Sequence, residues 1–490
     1  MTDRTIALNH PDSLYIGGHW TRPEVAATFD VIDCSTERVI AQVAKAGTND
    51  AKRAVSAARG AFDNGPWPKM TPGERATYLV KIAQRMEELN DEFARIWSLE
   101  SGIVFKVGKP RIGLFISGAF RQYAEMASTF AFTEERKSIT GHQAYCVQEP
   151  VGVVVAIVPW NGPAGLLAYK VAPALLAGCS VIIKSSPEAP CSGYLFAQVC
   201  EEVGLPPGVV NVITADRDVS EQLIRDSGVD KITFTGSTAA GRKISAAAAE
   251  RVARVTLELG GKSPGIVLED YDVELAAKTI GASFFGYLSG QVCHSLTRIL
   301  VPRAKHDAMV NALKRVAEGM VLGDPFDDAT TAGPLANERQ RNTVEQYVAR
   351  GIAEGALLAC GGKRPPHLKH GYYFEPTVFA NVDNRSTIAQ EEIFGPVLCV
   401  IPYDTEEDAI QMANDTIFGL NSVVFTNDVN KALQVARRIR SGSVGHNASR
   451  TDFSIGFGGF KQSGIGREGG EEGLKSFLES KTIVVDSLAK

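Results

Sequence analysis

The sequence predicts an α/β protein built on parallel sheets, with a smaller β element attached. Three observations carry that prediction. From residue 151 to 259, short continuous apolar runs alternate with helix-patterned runs, the mark of a parallel sheet covered on both faces. A second block of the same kind begins near residue 296. Two β-prone stretches, 131–150 and 480–490, stand outside both blocks.

The elements follow in order. Residues 70 to 130 carry apolar side chains at helical spacing, as in ATYLVKIAQRMEELNDEFARIWSLES, and read as helices. The polar stretch TEERKSITGHQAYCVQEP breaks that pattern. VGVVVAIVP then reads as a buried strand stopped by Pro159, and LLAYKVAPALLAGC as the helix behind it. SVIIK, GVVNVI, KITFT and RVTLEL read as further strands, RVTLEL being the last of this sheet. GYLFAQVCEEVG, VSEQLIRDSG and STAAGRKISAAAAE are the helices between them. Parallel sheets bind ligands outside the carboxyl ends of their strands, which places loops 159–163, 184–188 and 236–241 at a binding edge. The second block runs from LTRILVP through the helix AKHDAMVNALKRVAEGM to VLCVIPY, SVVFTN and VNKALQVARRIRSG. The terminal SKTIVVDSLAK is a β-prone end segment; an exposed end strand needs an edge to pair with, often a neighbouring subunit's.

Composition narrows the class. The 490 residues suggest about three domains. A net charge of −5 with no basic stripe argues against a nucleic-acid partner. The first twenty residues lack a basic start followed by an apolar stretch, and VGVVVAIV is too short to span a bilayer. A cytoplasmic location without membrane insertion is expected. The eight cysteines include no C-x-x-C, and the eight histidines no H-E-x-x-H, so neither a disulfide framework nor a metal site is expected.

Four fragments carry chemistry. Cys293 lies in GYLSGQVCHSLTRIL after the flexible Gly290. The run behind it looks helical, and a helix N-terminus favours thiolate; a packed structural cysteine is the competing reading. Glu258 closes the apolar strand of VTLELGGKSP, where a lone carboxylate is costly unless used or paired, with Arg251 or Arg254 as candidate partners. GGKS is not a phosphate loop, since Thr256 stands where that pattern needs Gly. Asn161 in VPWNGP puts an amide at a strand's carboxyl end, where it could face a developing oxyanion. FTGSTAAGR is a strand–Gly-Ser–helix junction whose Gly236, Ser237 and first helical N–H groups could hold a pyrophosphate.

Taken together, PWN, FTGSTxxG, ELGGKSP and GQ-x-C resemble the aldehyde dehydrogenase superfamily, in its order and at its separations; EEIFGPV at 391–397 and GFGGFKQSGIGREGG at 456–470 add two more of its motifs. The similarity runs from about Ser13 to Val485. It implies a Rossmann-type cofactor domain (1–130 and 151–258), an α/β catalytic domain (259–470) and a small β oligomerisation domain (131–150 and 471–490), assembled as a homodimer or homotetramer. By the same resemblance Cys293 is the nucleophile, Asn161 and the Cys293 N–H the oxyanion hole, and Glu258 the base for the deacylating water. Glu468 and Lys170 would relay its proton. Ile157, Pro159, Trp160, Lys184, Ser186, Gly236, Ser237, Leu259, Glu392 and Phe394 would contact NAD, with NADP as the alternative. The presence of Glu258 favours water over coenzyme A as acyl acceptor. Arg254, Arg467 and Glu479 match positions linked to subunit contacts.

The chain also departs from the family's pattern. Pro187 replaces a glutamate that many NAD-preferring members use on the ribose, and Glu188 comes one residue later. Loop 213–222 lacks the usual glycines, and Leu288 stands where Asn is usual. Where many members have an aromatic after PWN, this chain has Gly162, with Ala164 and Gly165 also small. The expected substrate tunnel, lined by Gly162, Gly165, Leu166 and Tyr169, is therefore wide. It suits a bulky apolar aldehyde, such as a terpenoid of the geranial type, an aromatic or a long-chain aldehyde. Two other classes compete. A cofactor-free cysteine esterase would need His294 as base, which as a helical neighbour of Cys293 would face away. A catalytically retired relative would have no reason to keep Cys293, Glu258 and Asn161 together.

Overall fold

The computed structural model describes residues 4–486; residues 1–3 and 487–490, the ends of the first and last expected segments, lie outside the described residues. The first sheet has the strand order Gly464–Ile465, Arg254–Glu258, Lys231–Thr235, Val153–Ile157, Ser180–Ser185, Val210–Thr214, Leu14–Ile16, His19–Thr21. Its five central strands are parallel. They are the five apolar runs read from the sequence, and the central three are buried throughout. After Val210–Thr214 the chain returns to the other side of Val153–Ile157. The strand order therefore reverses between Val153–Ile157 and Lys231–Thr235, and such a reversal opens a crevice at the carboxyl edge.

Helices cover both faces of this sheet and bury separate cores. The helix Pro163–Ala177 starts with Pro163 at its first turn and stops at Gly178, which takes the left-handed conformation (φ 101°). It is apolar nearly all round, as a helix buried on every side must be, yet it carries Lys170 with no exposure at all.

The second sheet has the order Leu357–Cys360, Thr377–Ala380, Val397–Tyr403, Leu296–Pro302, Ser263–Val267, Asn421–Phe425, Ser443–His446. All are parallel except the edge strand Leu357–Cys360. A small antiparallel sheet joins Leu478–Val485, Gln143–Pro150 and Thr133–Lys137.

Three expectations change. RVTLEL is not the last strand of the first sheet: Gly464–Ile465 pairs beyond it, setting Glu258 opposite Gly464, and two N-terminal strands extend the other edge. A two-residue strand has no periodicity to read. Second, Ser263–Val267 is a central strand that the pattern concealed, because Pro264 and Gly265 are poor strand residues; a register shift accommodates Pro264. Third, the end strand pairs with Gln143–Pro150 of its own chain.

Candidate active site

A cavity of about 790 Å³ is lined by residues from both sheets, Thr235 and Glu258 of the first and Leu296 of the second, and Cys293 and Asn161 line it too. Asn161 follows Val153–Ile157, Glu258 ends Arg254–Glu258, and Cys293 precedes Leu296–Pro302. Three residues distant in sequence thus meet because each sits where a parallel strand begins or ends.

The helix expected after Cys293 is absent. Residues 296–302 form a strand, as their β-branched content favours, so Cys293 does not stand at the start of a helix. The turn before it is also not a flexible one. Leu288, Ser289 and Gly290 all have positive φ (51°, 49° and 76°). A Cβ on Gly290 would lie 2.5 Å from the Gly395 carbonyl oxygen, so only glycine fits. Leu288 buries its side chain there in a backbone conformation that Asn tolerates better, at a cost of roughly 1–2 kcal/mol. Gln291 locks the turn: its amide donates to the Leu288 carbonyl (2.9 Å) and accepts from the Ala336 N–H (2.9 Å).

The Gln291 carbonyl accepts one Asn161 amide hydrogen at 3.0 Å. The second hydrogen on that nitrogen stays available to the cavity. Trp97 donates its indole N–H to the Asn161 carbonyl at 2.8 Å, fixing the loop from behind.

The thiol reaches the tunnel, but burial, and after it the charges of Glu392 and Glu258, push Cys293 upward against the pull of the His294 and Cys293 N–H groups. The thiol is therefore the resting form. His294 does not face away as in a helix: its Nδ1 stands 3.9 Å from Sγ. Burial pushes His294 down to about 4, so the imidazole is neutral at physiological pH and a weak base.

Glu258 is 2% exposed, and neither carboxylate oxygen has a hydrogen-bond partner among the described residues. Neither arginine considered from the sequence pairs with it. Arg251 donates to the Ile224 and Val229 carbonyls, and Arg254 binds Glu479 at 2.5 Å within the same chain. Burial first, then the Glu468 charge, raise Glu258 well above the usual carboxylate range, while Lys170 and Arg467 oppose the shift. Lys170 donates to the Thr235 hydroxyl (2.7 Å) and ion-pairs with Glu468. One Glu468 oxygen has no hydrogen-bond partner among the described residues. Gly458 was missed by sequence reasoning: a Cβ there would come within 2.7 Å of Glu258 Oε1. The GFGGF run was the available signal.

The residues expected to contact a cofactor gather at the carboxyl edge of the first sheet. Ile157 ends its strand; Pro159 and Trp160 follow, and Trp160 stands edge-on to Phe394 at 5.4 Å. Lys184 makes no ion pair among the described residues, and burial pushes it down to about 8. The Ser186 hydroxyl and Arg339, the latter at 2.9 Å, both engage Glu188. Ser237 caps the helix Thr238–Ala249 by accepting from the Ala240 N–H, and Gly236 is linked to Glu258 through backbone N–H···O=C (3.0 Å). The Leu259 N–H donates to the Ser463 carbonyl (2.8 Å). Glu392 accepts from the Gly261 N–H (3.1 Å), and burial raises it to about 7.

Gly162, Gly165, Leu166 and Tyr169 line the cavity. A Cβ on Gly162 would meet nothing closer than Leu166 at 3.8 Å, and one on Gly165 nothing closer than Ile116 at 3.9 Å, so the space left by the missing aromatic is open. The sequence reading missed the other walls. Phe453 stacks on Tyr169 (4.5 Å) and leans on Phe457 (4.4 Å). Trp97, Tyr287 and Phe115 line the cavity as well. Among the described residues no helix is long and apolar enough to cross a membrane.

Comparison with known proteins agrees with this geometry. Residues 20–483 match the model of the aldehyde dehydrogenase family. The chain is 40% identical over 470 residues to the geranial dehydrogenase of Castellaniella defragrans, covering 96% of this chain and 98% of that one. An aldehyde dehydrogenase of Mycobacterium tuberculosis, solved with NAD+, superposes with a TM-score of 0.96 at 43% identity, over 99% of this chain and 100% of that chain. Aldehyde dehydrogenase C of Pseudomonas syringae, a cysteine-to-alanine variant holding NAD+ and octanal, gives 0.94 at 38% identity, over 98% of each chain. A thiol, an amide donor and an orphaned buried carboxylate around one cavity are what oxidation of an aldehyde through a thioester requires, and the chain belongs to the aldehyde dehydrogenase family of oxidoreductases.

Proposed function

We propose that this enzyme oxidises a bulky, largely apolar aldehyde to the carboxylic acid, with NAD+ as acceptor and Cys293 as nucleophile. The observation that carries the substrate class is the open volume beside Gly162 and Gly165, walled by aromatic rings. The relatives named above include one called geranial dehydrogenase and one holding octanal, both aldehydes of that size.

The Cys293 thiol gives up its proton to solvent as its sulfur adds to the aldehyde carbon, and the free Asn161 amide hydrogen and the Cys293 N–H donate to the oxygen as it gains charge. The bound nicotinamide supplies the hydride acceptor. The thioester left on Cys293 is then cleaved by water, whose proton Glu258 accepts; its raised affinity for protons suits a base working near neutral pH. Lys170 and Glu468 lie next to Glu258 and can carry that proton away. The donor set fits the cofactor: the unpaired Lys184 for the adenosine ribose with Ser186 beside it, the Ser237-capped helix end and Gly236 for the pyrophosphate, and Glu392 for the nicotinamide ribose. Ile157, Pro159, Trp160, Leu259 and Phe394 frame the crevice. Glu188 stays negative at this edge because Ser186 and Arg339 outweigh the effect of its burial. A negative charge there disfavours a 2′-phosphate, so NAD+ is preferred to NADP+.

The cofactor and catalytic domains are assigned to the first and second sheets, and the three-stranded sheet to subunit association in a homodimer or homotetramer; a light-scattering mass of only 52.5 kDa would contradict that assembly. The function is tested by following absorbance of the reduced cofactor across aldehydes from acetaldehyde to decanal and geranial, with NAD+ and NADP+ in parallel. The expected result is kcat/KM rising with size and favouring NAD+. A clear preference for acetaldehyde would sink the substrate reading.

A further inference from the structure

The lining of the cavity is polarised. Its carboxylates, Glu258 and Glu468, lie at the inner end with Cys293. Its cations, Lys106 and Arg111, also line it; Lys106 is exposed and so lies where the cavity meets solvent, and Arg111 is half-buried. Neither cation makes an ion pair with a carboxylate among the described residues. Lys106 donates to the Asp328 carbonyl. Arg111 donates through Nη1 to the Val107 carbonyl, and its guanidinium lies 4.7 Å over the Tyr287 ring. Tyr287 stands edge-on to Trp97 at 6.5 Å, and Trp97 holds Asn161. Arg111 is thus three contacts from the expected oxyanion donor, along the wall that a substrate would follow.

Local structure supports a built position rather than a loose surface arginine. The residues immediately after Arg111, Ile112–Ser117, form a π-helical turn, with the Ser117 hydroxyl donating to the Gly113 carbonyl at 3.0 Å. Such turns widen a helix and often mark functional sites. Here the turn carries Phe115 and Ile116 into the cavity wall. A guanidinium fixed at one nitrogen and stacked on a ring still presents donors in a planar fork, the geometry that binds a carboxylate through two hydrogen bonds.

We propose that Arg111, seconded by Lys106, receives an anionic group at the far end of the substrate, so that the preferred aldehydes are ω-oxo acids with an apolar middle. This rests on the aldehyde reading above and narrows its substrate class. Arg111 is a specificity residue, remote from the reacting carbon, and its contact is present in ground and transition states alike. Its loss therefore raises KM and leaves kcat.

The test compares unbranched aldehydes from hexanal to decanal with ω-oxo acids of matched length, using the full chain and NAD+, for the wild type, Arg111→Met, Arg111→Lys and Lys106→Met. At the best-fitting length Arg111→Met should raise KM for the oxo acid about tenfold, the low end for a hydrogen bond to a charged group, with kcat and the KM of the plain aldehyde unchanged. Arg111→Lys should recover part of the loss, and added salt should weaken only the oxo acid. If Arg111→Met does not fold, the exposed Lys106→Met should show the same charge-selective shift, smaller in size. Equal shifts for both substrate series, or no shift for either, would overturn the proposal and leave Arg111 as packing for Tyr287. Absence of turnover with both series in the wild type would instead overturn the aldehyde reading itself.

Discussion

The two ends of the cavity are built by different means. At the inner end, backbone geometry fixes a few polar groups. Three successive left-handed residues set Cys293, Gln291 ties that turn to Asn161, and Glu258 ends a strand with both oxygens unbonded. At the outer end, side chains from separate helices and loops make the wall, and glycines leave room between them. The inner end spends stability on unpaired and strained groups, which is tolerable only where chemistry uses them. Apart from Lys106 and Arg111, the outer end is ordinary apolar packing interrupted by a void. The difference teaches that chemistry and specificity can vary independently in this molecule, and mutations can separate them.

The sharpest separation comes from the inner end. Cys293→Ala should abolish oxidation of every aldehyde, a loss on the order of 10³-fold or more, while binding of NAD+, followed by quenching of tryptophan fluorescence, survives. Glu258→Gln should lower kcat by about 10²-fold or more, as for loss of a positioned base, yet leave a burst of reduced cofactor equal to the enzyme present. Stopped-flow absorbance at 340 nm distinguishes the two. A Glu258→Gln enzyme lacking the burst would place Glu258 in the first half-reaction and remove the assigned division of labour.

The outer end gives the next effect. Gly162→Phe fills the open space, with no atom closer than 3.8 Å to a Cβ there. It should cut kcat/KM for geranial or decanal by roughly tenfold or more, since the ring takes volume that a large substrate would occupy and forces it to overfill the site, and change acetaldehyde little. Equal losses for small and large aldehydes would mean the phenyl ring disturbs Asn161 next door, and the comparison between the ends would fail.

This contrast also explains what was legible in the sequence. The inner end could be read because its geometry demands particular residues in short runs: Asn161 after a strand-stopping Pro159, Glu258 before two glycines, Cys293 two residues after Gln291. The parallel strands were equally plain as apolar runs. The outer wall was not legible. Trp97, Phe115, Tyr287 and Phe453 come from four separate segments, and each taken alone is an ordinary aromatic. The helix expected after Cys293 failed because a short run with Leu296, Ile299, Leu300 and Val301 as its apolar residues fits strand or helix alike. Gly464–Ile465 was invisible because only tertiary pairing makes it a strand.

A smaller effect probes the cost of the inner end directly. Glu258 binds its proton more tightly in the folded chain than an ordinary carboxylate, because burial and then the Glu468 charge oppose ionisation. Below the ordinary pKa of about 4.3 both folded and unfolded states hold the proton, and Glu258 contributes nothing to any change. As pH rises above that value the unfolded chain loses its proton first, and folding stability falls until the folded carboxyl also ionises. Glutamine has no such proton. The melting temperature of Glu258→Gln should therefore gain on that of the wild type between pH 5 and pH 9, by on the order of a degree or two for a chain this long. Cys293 and His294 are present in both proteins, so their titration largely cancels in the difference. A constant offset across that range would mean that the buried carboxylate is stabilised in its charged form by Lys170 and Arg467, and its place as a near-neutral base would have to be given up.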